Sequence, residues 1–430
     1  MKFVSVPLMA TARILQMLRD YESRNVLFIE PDGSWPVIWN RAKGTSVWDI
    51  DGKKYLDLTA AFGVAAAGHA NSNVVNAARR QMGQLLHAMG DVHPHALKAR
   101  LARELSRITF ERWRSDRNPK AVGTLRCAVT ARRAGGMART QTPEPSLKSE
   151  PSGLMTAKTI FCNSGFEAVE AALKTAILAT GKRGVIAFTG GYHGLGYGAL
   201  NVTHRDFFQR PFHPQLRRFG KFVPFPQSPA FTRSTGEHCA ARHLGRLENQ
   251  ITRILERNRT GAILVEPVQA RGGIIVPPRQ FLPLLRALCD KFGALLILDE
   301  VYTGFARTGK WFACEHTAVI PDLICLGKAL TGGFPLSACV GPARVMDAAW
   351  PPSRGEAIHT STFLGHPVGC AMALAQIAEI RRHDLCARSA RMGNLLLAEL
   401  TTIENQPLEI EVSARGLGLM AGLEIRLPNG

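Results

Sequence analysis

The chain has 430 residues, of which 46% are hydrophobic and 20% charged, so it can bury a large core and form about two domains. It contains no run of about 18 or more apolar residues, so we expect no membrane span. Its nine cysteines form no CxxC pair, so we expect reduced thiols in a cytoplasmic protein and no metal site. The net charge of +19 raises the question of nucleic acid, but no basic, aromatic-interleaved recognition motif accompanies it; we therefore expect a solvated basic surface, no nucleic-acid partner and no membrane partner.

The first part of the chain combines helices with short strands. The opening stretch MKFVSVPLMATARILQMLRDYE is broken by Pro7 and Arg13 and predicts an amphipathic helix rather than a signal peptide. Residues 35–58 are typical of short strands, with a hairpin turn at Asp51-Gly52. Helical apolar spacing then runs from Asn73 to Met89 and from Ala96 to Ile108.

Residues 113–156 interrupt this pattern. They are rich in Arg, Pro, Gly, Ser and Thr and show no periodicity, so they bury too little apolar surface to offset the entropy of ordering. The segment is therefore predicted to be a disordered insertion that contributes nothing to a site.

Apolar runs alternate with helical patterns in the middle of the chain. The runs are residues 159–162, 184–188, 262–266, 294–299 and 322–327. This alternation predicts an α/β fold with a largely parallel sheet covered by helices on both faces. Two further helices, from Phe363 to Ile380 and over 384–403, precede two strands in EIEVSARGLGLMAGLEIRL.

Two glycine-containing turns follow the first two of these runs. Asn163-Ser164-Gly165 opens a helix, whose free N–H groups and dipole favour a phosphate; strand-Gly-helix turns are also common without one. In GGYHGLGYGAL, Tyr192 can stack on a planar ring with His193 beside it, although a packed core aromatic is the alternative.

Acids and a lysine end the later runs. Glu266 and Asp299 end apolar strands and must be paired or functional; a helix N-cap or a structural salt bridge is the alternative for each. Lys328 follows the next strand, where a solvated lysine at a helix start is the alternative. A lysine amine that condenses with an aldehyde, together with an acid that keeps a pyridinium protonated, is the pair that pyridoxal phosphate requires.

The order of these motifs resembles the class III aminotransferases, a group of fold-type I pyridoxal-phosphate enzymes. The matching stretches are NSGFEAVEAALKTA, GGYHGLGYGAL, VEPVQARGGIIVPP, LILDEVYTGFARTGKWFACEH, PDLICLGKALTGGFPLSA and HTSTFLGHPVGCAMALA. The resemblance implies a mostly parallel sheet covered by helices, a smaller α+β domain, and pyridoxal 5′-phosphate as the cofactor.

The resemblance also implies a role for individual residues. Lys328 would be the Schiff-base lysine, Asp299 the partner of the pyridinium nitrogen, and Gln269 a substrate contact. Thr362 would reach the phosphate of a neighbouring subunit, which implies a homodimer. The remaining cofactor-binding residues would be Ser164, Gly165, Phe166, Tyr192, His193, Glu266, Val301 (against the ring face opposite Tyr192) and Tyr302.

The chain departs from the family at Tyr302, where many members have Gln, and at His366, which replaces the Asn of a GNP stretch. The resemblance predicts three regions: 1–65, an N-terminal segment with part of the small domain; 66–340, the large cofactor-binding domain; and 341–430, a C-terminal small domain shorter than is usual, which implies truncation. The expected activity moves an amino group from an amino acid or ω-amino acid to a 2-oxo acid such as 2-oxoglutarate. The alternatives are a catalytically impaired or non-catalytic basic binding protein on the same fold, or a related mutase.

Overall fold

A seven-stranded sheet forms the centre of the computed structural model, which describes residues 6–115, 156–227, 237–406 and 410–427. Its strand order is β4-β10-β9-β8-β7-β5-β6. The pairs from β9 to β6 are parallel, whereas β10 is antiparallel to both β9 and β4. All strands of this sheet except β10 therefore run in one direction, as the predicted α/β fold requires.

Two small sheets flank the large one in the sequence. The first contains β1, β2 and β3, and the second contains β11 and β12. The twelve strands have these bounds: β1 Trp39–Lys43, β2 Ser46–Asp49, β3 Lys54–Leu56, β4 Ala157–Cys162, β5 Gly184–Phe188, β6 Gly220–Val223, β7 Thr260–Val265, β8 Leu295–Asp299, β9 Leu323–Leu326, β10 Ser337–Pro342, β11 Glu411–Leu417 and β12 Met420–Arg426.

Longer helices cover the large sheet and connect its strands. They are α1 Val6–Tyr21, α2 Ser72–Gln84, α3 Ala96–Ser106, α4 Gly165–Thr180, α5 Glu237–Leu255, α6 Phe281–Phe292, α7 Ala343–Ala349, α8 Pro367–Arg382 and α9 Leu385–Glu404. Short helical turns occupy Ala60–Gly63, Arg107–Glu111, Arg112–Ser115, Tyr197–Leu200, Asp206–Gln209, Arg210–Gln215, Ala313–Thr317 and Lys328–Leu330. None of the helices in the described ranges is long and apolar enough to cross a bilayer.

Two buried apolar clusters lie on opposite faces of the large sheet. One combines side chains of α3, α5, α6 and α8 with strand residues such as Ile186 and Leu296. The other packs α4 and α7 against alternate strand residues such as Val185 and Ile297. Successive strand residues point to opposite faces, so continuous apolar runs are explained by a sheet that is covered on both sides.

Several boundaries match the sequence prediction closely. The strand Gly184–Phe188 and the helix Gly165–Thr180 have the expected bounds. The hairpin around Asp51-Gly52 pairs Val47 with Tyr55. The strands β6 and β10 were not predicted.

The first helical prediction was too long. α2 ends at Gln84 rather than Met89, because Leu85 adopts an extended backbone with φ −152°. Leu85, Leu86 and Met89 are exposed. Their apolar spacing therefore does not mark a core-facing helix surface.

The predicted insertion begins too early. After α3 the chain continues through a π-helical turn and reaches Ser115. Trp113 is buried, and its Nε1 donates to Glu315 Oε1 at 3.0 Å. Trp113 is thus part of the core, and the rest of the predicted disorder, 116–155, lies outside the described residues.

Candidate active site

The predicted site residues gather at one edge of the seven-stranded sheet. Ser164 follows β4, Tyr192 follows β5, Glu266 follows β7, Asp299 ends β8 and Lys328 follows β9. Because these strands share a direction, their carboxyl ends meet at the same edge, which is where α/β sheets bind ligands.

Asp299 is held by a buried histidine from another strand end. His193 Nδ1 lies 2.8 Å from Asp299 Oδ2, and both side chains are almost fully buried. The other oxygen, Asp299 Oδ1, accepts from the Val301 backbone N–H at 3.1 Å. The His193 backbone N–H in turn donates to Thr203 Oγ1 at 2.9 Å. The carboxylate orientation is therefore fixed by groups on two loops.

Lys328 begins a short 3₁₀ turn and has a left-handed backbone, with φ 39°. Such a φ is strained for a residue with a Cβ and occurs preferentially at functional sites. Its Nζ lies 4.9 Å from the centroid of the Tyr302 ring. Burial lowers the pKa of Lys328, and the Arg271 guanidinium acts in the same direction, whereas Asp299 and Glu266 oppose the shift.

Glu266 is a buried carboxyl that binds backbone rather than a cation. Its two oxygens accept from the backbone N–H groups of Tyr192 and Ala270, each at 3.0 Å. Burial raises its pKa to about 7, and Asp299 adds to that shift, while His193 and the two N–H groups oppose it. Glu266 thereby fixes the start of the Tyr192 loop relative to β7.

Ser164 is the N-cap of α4, and the following glycine is tightly enclosed. The Glu167 carboxylate accepts from the backbone N–H groups of Asn163 and Ser164, at 2.6 and 3.0 Å. Ser337 Oγ donates to Ser164 O at 2.6 Å, which ties the turn to β10. A Cβ on Gly165 would come within 2.8 Å of Val301 Cγ1, so only glycine fits between α4 and Val301.

The ring of Tyr192 lies at the mouth of the site. It makes an edge contact with Phe208, with centroids 5.8 Å apart, and the guanidinium carbon of Arg271 lies 4.2 Å from its centroid. Further along the loop, Gly194 has φ 106°, and a Cβ there would lie 2.2 Å from Phe166 Cβ. The glycine-rich sequence lets this loop pass close over the first turn of α4.

Gln269 is buried beside the same loop. Its Nε2 donates to Thr189 O at 2.8 Å, whereas its Oε1 is buried with no partner within the described part of the chain. Gln269 therefore lies beside the Tyr192 loop with one acceptor unused within the described residues, and its role as a substrate contact stays a prediction.

Thr362, which was predicted to reach the phosphate of a neighbouring subunit, is exposed in the turn before α8. Nearby, His366 caps α8, because its Nδ1 accepts from the Val368 backbone N–H at 3.3 Å. The histidine thus performs the capping role for which asparagine is usually favoured.

Pyridoxal phosphate fits the side chains at this edge. Ser164 Oγ is buried and lacks a partner among the described residues, and it lies where the first N–H groups of a 16-residue helix have no intrahelical acceptor. That is a site for a phosphate dianion. The buried Asp299–His193 pair and Lys328 supply the other two groups that the cofactor requires.

Some residues around the site were missed by the sequence analysis. Glu300 is fully buried and accepts from the backbone N–H groups of Ala313 and Cys314, both at 2.8 Å, so it fixes the loop after β8. Burial raises its pKa to about 7. The charges of Arg307 and Arg271 both oppose the raised pKa that burial gives Tyr302. Arg271 could have been included among the candidate site residues, because it lies only two residues after Gln269.

Comparison with known proteins gives one consistent answer. The sequence model of the family described as "Aminotransferase class-III" matches residues 29–429. The acetylornithine aminotransferase of Methanosarcina acetivorans is 33% identical over 398 residues, which cover 93% of this chain and 81% of the relative. The putrescine aminotransferase of Pectobacterium atrosepticum is 34% identical over 424 residues, which cover 96% and 77%. An amine transaminase structure from an uncultivated Pseudomonas species, in PLP-bound form, superimposes with a TM-score of 0.76 at 28% identity, covering 94% of this chain and 83% of that one.

Proposed function

The chain belongs to the class III aminotransferases, and on that premise we propose that Lys328 and Asp299 are its catalytic residues. The enzyme is pyridoxal-phosphate dependent and transfers an amino group from an amino donor to a 2-oxo acid. The observation that carries the residue assignment is the convergence, at adjacent strand ends, of the buried Asp299–His193 pair with a lysine whose pKa is lowered.

The cofactor would be held by groups from five strand ends. Its phosphate would accept from Ser164 Oγ and from the backbone N–H groups of Gly165 and Phe166. Tyr192 and Val301 would lie against its two ring faces, and Tyr302 and Glu266 would line its edge. When bound, pyridoxal phosphate supplies an aldehyde carbon that condenses with amines and a ring that accepts electrons.

Lys328 would move the proton. A primary amine is a useful base only when it is unprotonated, and burial lowers its pKa toward neutrality. The Nζ atom would remove the proton from the donor carbon that bears the amino group and later return it as an acid. The carboxylate of Asp299 opposes this lowering of the Lys328 pKa.

Asp299 would act through its charge. A carboxylate beside a ring N–H stabilises the protonated ring, and the effect is largest where water is excluded and the acceptor is already oriented. His193 would be a positioning residue, because it contacts the carboxylate rather than the reacting atoms.

We also propose that the site is shared between two copies of the chain. Thr362 is exposed in the single chain, so a homodimer would allow the Thr362 of one copy to reach the phosphate held by the other. A division into residues 1–65, 66–340 and 341–430 is supported by the three sheets, although β10 extends to Pro342. The unpaired thiols among the described residues are in keeping with a cytoplasmic protein.

Reduction with borohydride followed by peptide mapping tests the assignment. We expect the cofactor label on Lys328 and a loss of turnover of about 10³-fold or more in Lys328→Ala, since both the covalent link and the proton carrier are removed. Lys310→Ala, which changes an exposed lysine in the loop after β8, serves as the matched control and should keep full activity. A label on another lysine would contradict the proposal.

A further inference from the structure

The loop that follows Glu266 presents an arginine to the site on a fixed backbone. Gln269 and Ile275 form an isolated antiparallel bridge, with N–O distances of 3.0 and 2.9 Å. Two other arginines hold the loop between them: Arg415 Nε donates to Gly273 O at 2.7 Å, and Arg205 Nη2 donates to Arg271 O at 3.0 Å. The main chain at Arg271 is therefore fixed before any ligand binds.

The Arg271 side chain is exposed and lies beside Tyr192. Its guanidinium carbon lies 4.2 Å from the centroid of the Tyr192 ring, a separation typical of cation–π stacking. Its positive charge lowers the pKa of Lys328 in addition to the larger effect of burial, and it opposes the raised pKa of Tyr302. Arg271 thus lies close enough to both residues for its charge to affect their pKa values.

No described carboxylate pairs with this guanidinium. Within the four described ranges, Arg271 makes no ion pair with any aspartate or glutamate. Glu266 is bound to backbone N–H groups and its pKa is raised to about 7, while Asp299 is bound to His193. The protein therefore leaves the charge of Arg271 available to a ligand.

A guanidinium in this setting favours a carboxylate and disfavours an amine. Its planar fork matches both oxygens of a carboxylate, and charge-assisted hydrogen bonds of this kind are stronger than neutral ones. A second ammonium group on a diamine would instead be repelled. The difference between a carboxylate and a second amine matters for substrate choice. Two relatives of similar identity are named for acetylornithine, which has a carboxylate, and for putrescine, which has none.

We propose that Arg271 is the specificity-determining residue of this enzyme and that it binds a carboxylate of each substrate in turn, so that amino acid donors are preferred to diamines. This inference rests on the proposed function, because it assumes that the amino group of the substrate reacts next to Lys328. Arg271 would contribute to substrate binding. Because its backbone is held, its guanidinium would move from the Tyr192 ring to the substrate by side-chain rotation alone.

The first test measures binding without turnover. Glutarate, an unreactive dicarboxylate, is titrated calorimetrically into the holoenzyme. We expect Arg271→Met to weaken its binding about 10- to 100-fold and Arg271→Lys to be intermediate, because lysine keeps the charge but loses the fork. Arg279→Met is the matched control, since Arg279 is an exposed arginine of the same segment, and its binding should equal that of the wild type.

The second test compares 4-aminobutyrate with 1-aminobutane as donors, and follows the KM for 2-oxoglutarate. In Arg271→Met we expect the preference for the carboxylated donor to fall about 10- to 100-fold and the KM for 2-oxoglutarate to rise with kcat little changed, which is the pattern of lost ground-state binding. Absence of glutarate binding to the wild type, or unchanged binding in Arg271→Met, overturns the inference. Failure of the proposed function itself would be seen separately, as a borohydride label outside Lys328.

Discussion

The two ends of strands β8 and β9 contain charged side chains that are arranged in opposite ways. At the amino ends, Arg286 Nη1 donates to Asp322 Oδ2 at 2.7 Å, and its Nη2 pairs with Asp290 at 2.7 Å. Asp322 Oδ2 also accepts from the Leu296 backbone N–H at 2.9 Å. At the carboxyl ends, Lys328 contacts the face of a tyrosine ring, and Arg271 and Arg307 make no ion pair within the described residues.

The comparison separates a structural role for charge from a functional one. A charge removed from water is costly unless it is paired and hydrogen-bonded. The amino-end network meets that requirement with the protein's own groups, so its contribution is to stability. Within the described residues the cations at the carboxyl ends have no carboxylate partner, which is consistent with the proposal that a ligand carboxylate binds Arg271. Substitutions at the two ends should therefore have different effects.

The largest contrast is expected between Asp299→Asn and Asp290→Asn. An amide cannot stabilise a ring proton, so Asp299→Asn should lower kcat by about 10²- to 10³-fold, as is usual when a preorganised electrostatic group is removed. Asp290→Asn, at the other end of the sheet, should leave kcat unchanged. Steady-state rates with saturating cofactor provide the measurement, and near wild-type kcat in Asp299→Asn would remove Asp299 from the mechanism.

Asp322→Asn should show the converse behaviour. It removes the charge of the buried Asp322 and leaves the half-buried Arg286 guanidinium with Asp290 alone, so the cost of about 3–5 kcal/mol for breaking a fully buried pair is an upper bound. We therefore expect a clearly lower free energy of unfolding in a denaturant titration, with unchanged kcat per folded enzyme. A change in kcat without a change in stability would show that the two ends are not separated as described.

The next effect concerns the shared site. Thr362→Ala should weaken cofactor binding by about 1.5–3 kcal/mol, the value of a hydrogen bond to a charged group. Cofactor titration of the apoenzyme measures this, and sedimentation at low concentration reports the subunit state. Thr360, two residues earlier, donates to Asp91 Oδ2 at 2.6 Å within the same chain, so Thr360→Ala is a suitable control. A fully active monomer would rule out a site completed by a second copy.

The last prediction concerns pH, where the effect per pH unit is smaller than the preceding ones. The pKa of Glu266 is raised in the folded protein to about 7, from 4.5, so the folded state retains a proton that the unfolded state releases between those values. The free energy of unfolding should therefore fall as pH rises through this window, by up to about 1.4 kcal/mol per unit, and level off above it. Glu266→Gln should flatten that dependence in denaturant titrations at several pH values. An unchanged slope would contradict a protonated Glu266.

Much of the fold could be predicted because uninterrupted apolar runs are unambiguous. The run GVIAF gives β5 its bounds, and apolar spacing between a Ser N-cap and Gly181 gives α4 its bounds. β10 was missed because SACVGP contains Gly and Pro, which are depleted in strands, and its identity depends on ladders with β4 and β9. Its reversed direction is a tertiary property that no local pattern contains.

The candidate site was predictable in composition but not in contacts. Lys328, Asp299 and Glu266 could be identified as candidates because each charged group lies at or just after the end of an apolar strand. A charge buried there is costly unless it is paired or functional. The bond between His193 and Asp299 joins residues 106 positions apart and follows only from β5 and β8 ending at the same edge. Within the described residues Arg271 makes no ion pair, and this too could not be predicted from the sequence, because it depends on which side chains surround the arginine in the folded protein.

The contact between Arg415 and Gly273 has a consequence for biosynthesis. The hydrogen bond joins residues 142 positions apart, and Ile274 lies against Gly422 of the same terminal hairpin. A ribosome adds about 5–20 residues per second, so the loop that carries Arg271 leaves the exit tunnel roughly 7–30 s before the residue that fastens it. During that interval the nascent chain can assemble the strands that carry Asp299 and Lys328, while the loop that carries Arg271 still lacks this anchor. The strand ends that carry both groups are thus complete before the contact that fastens the Arg271 loop can form.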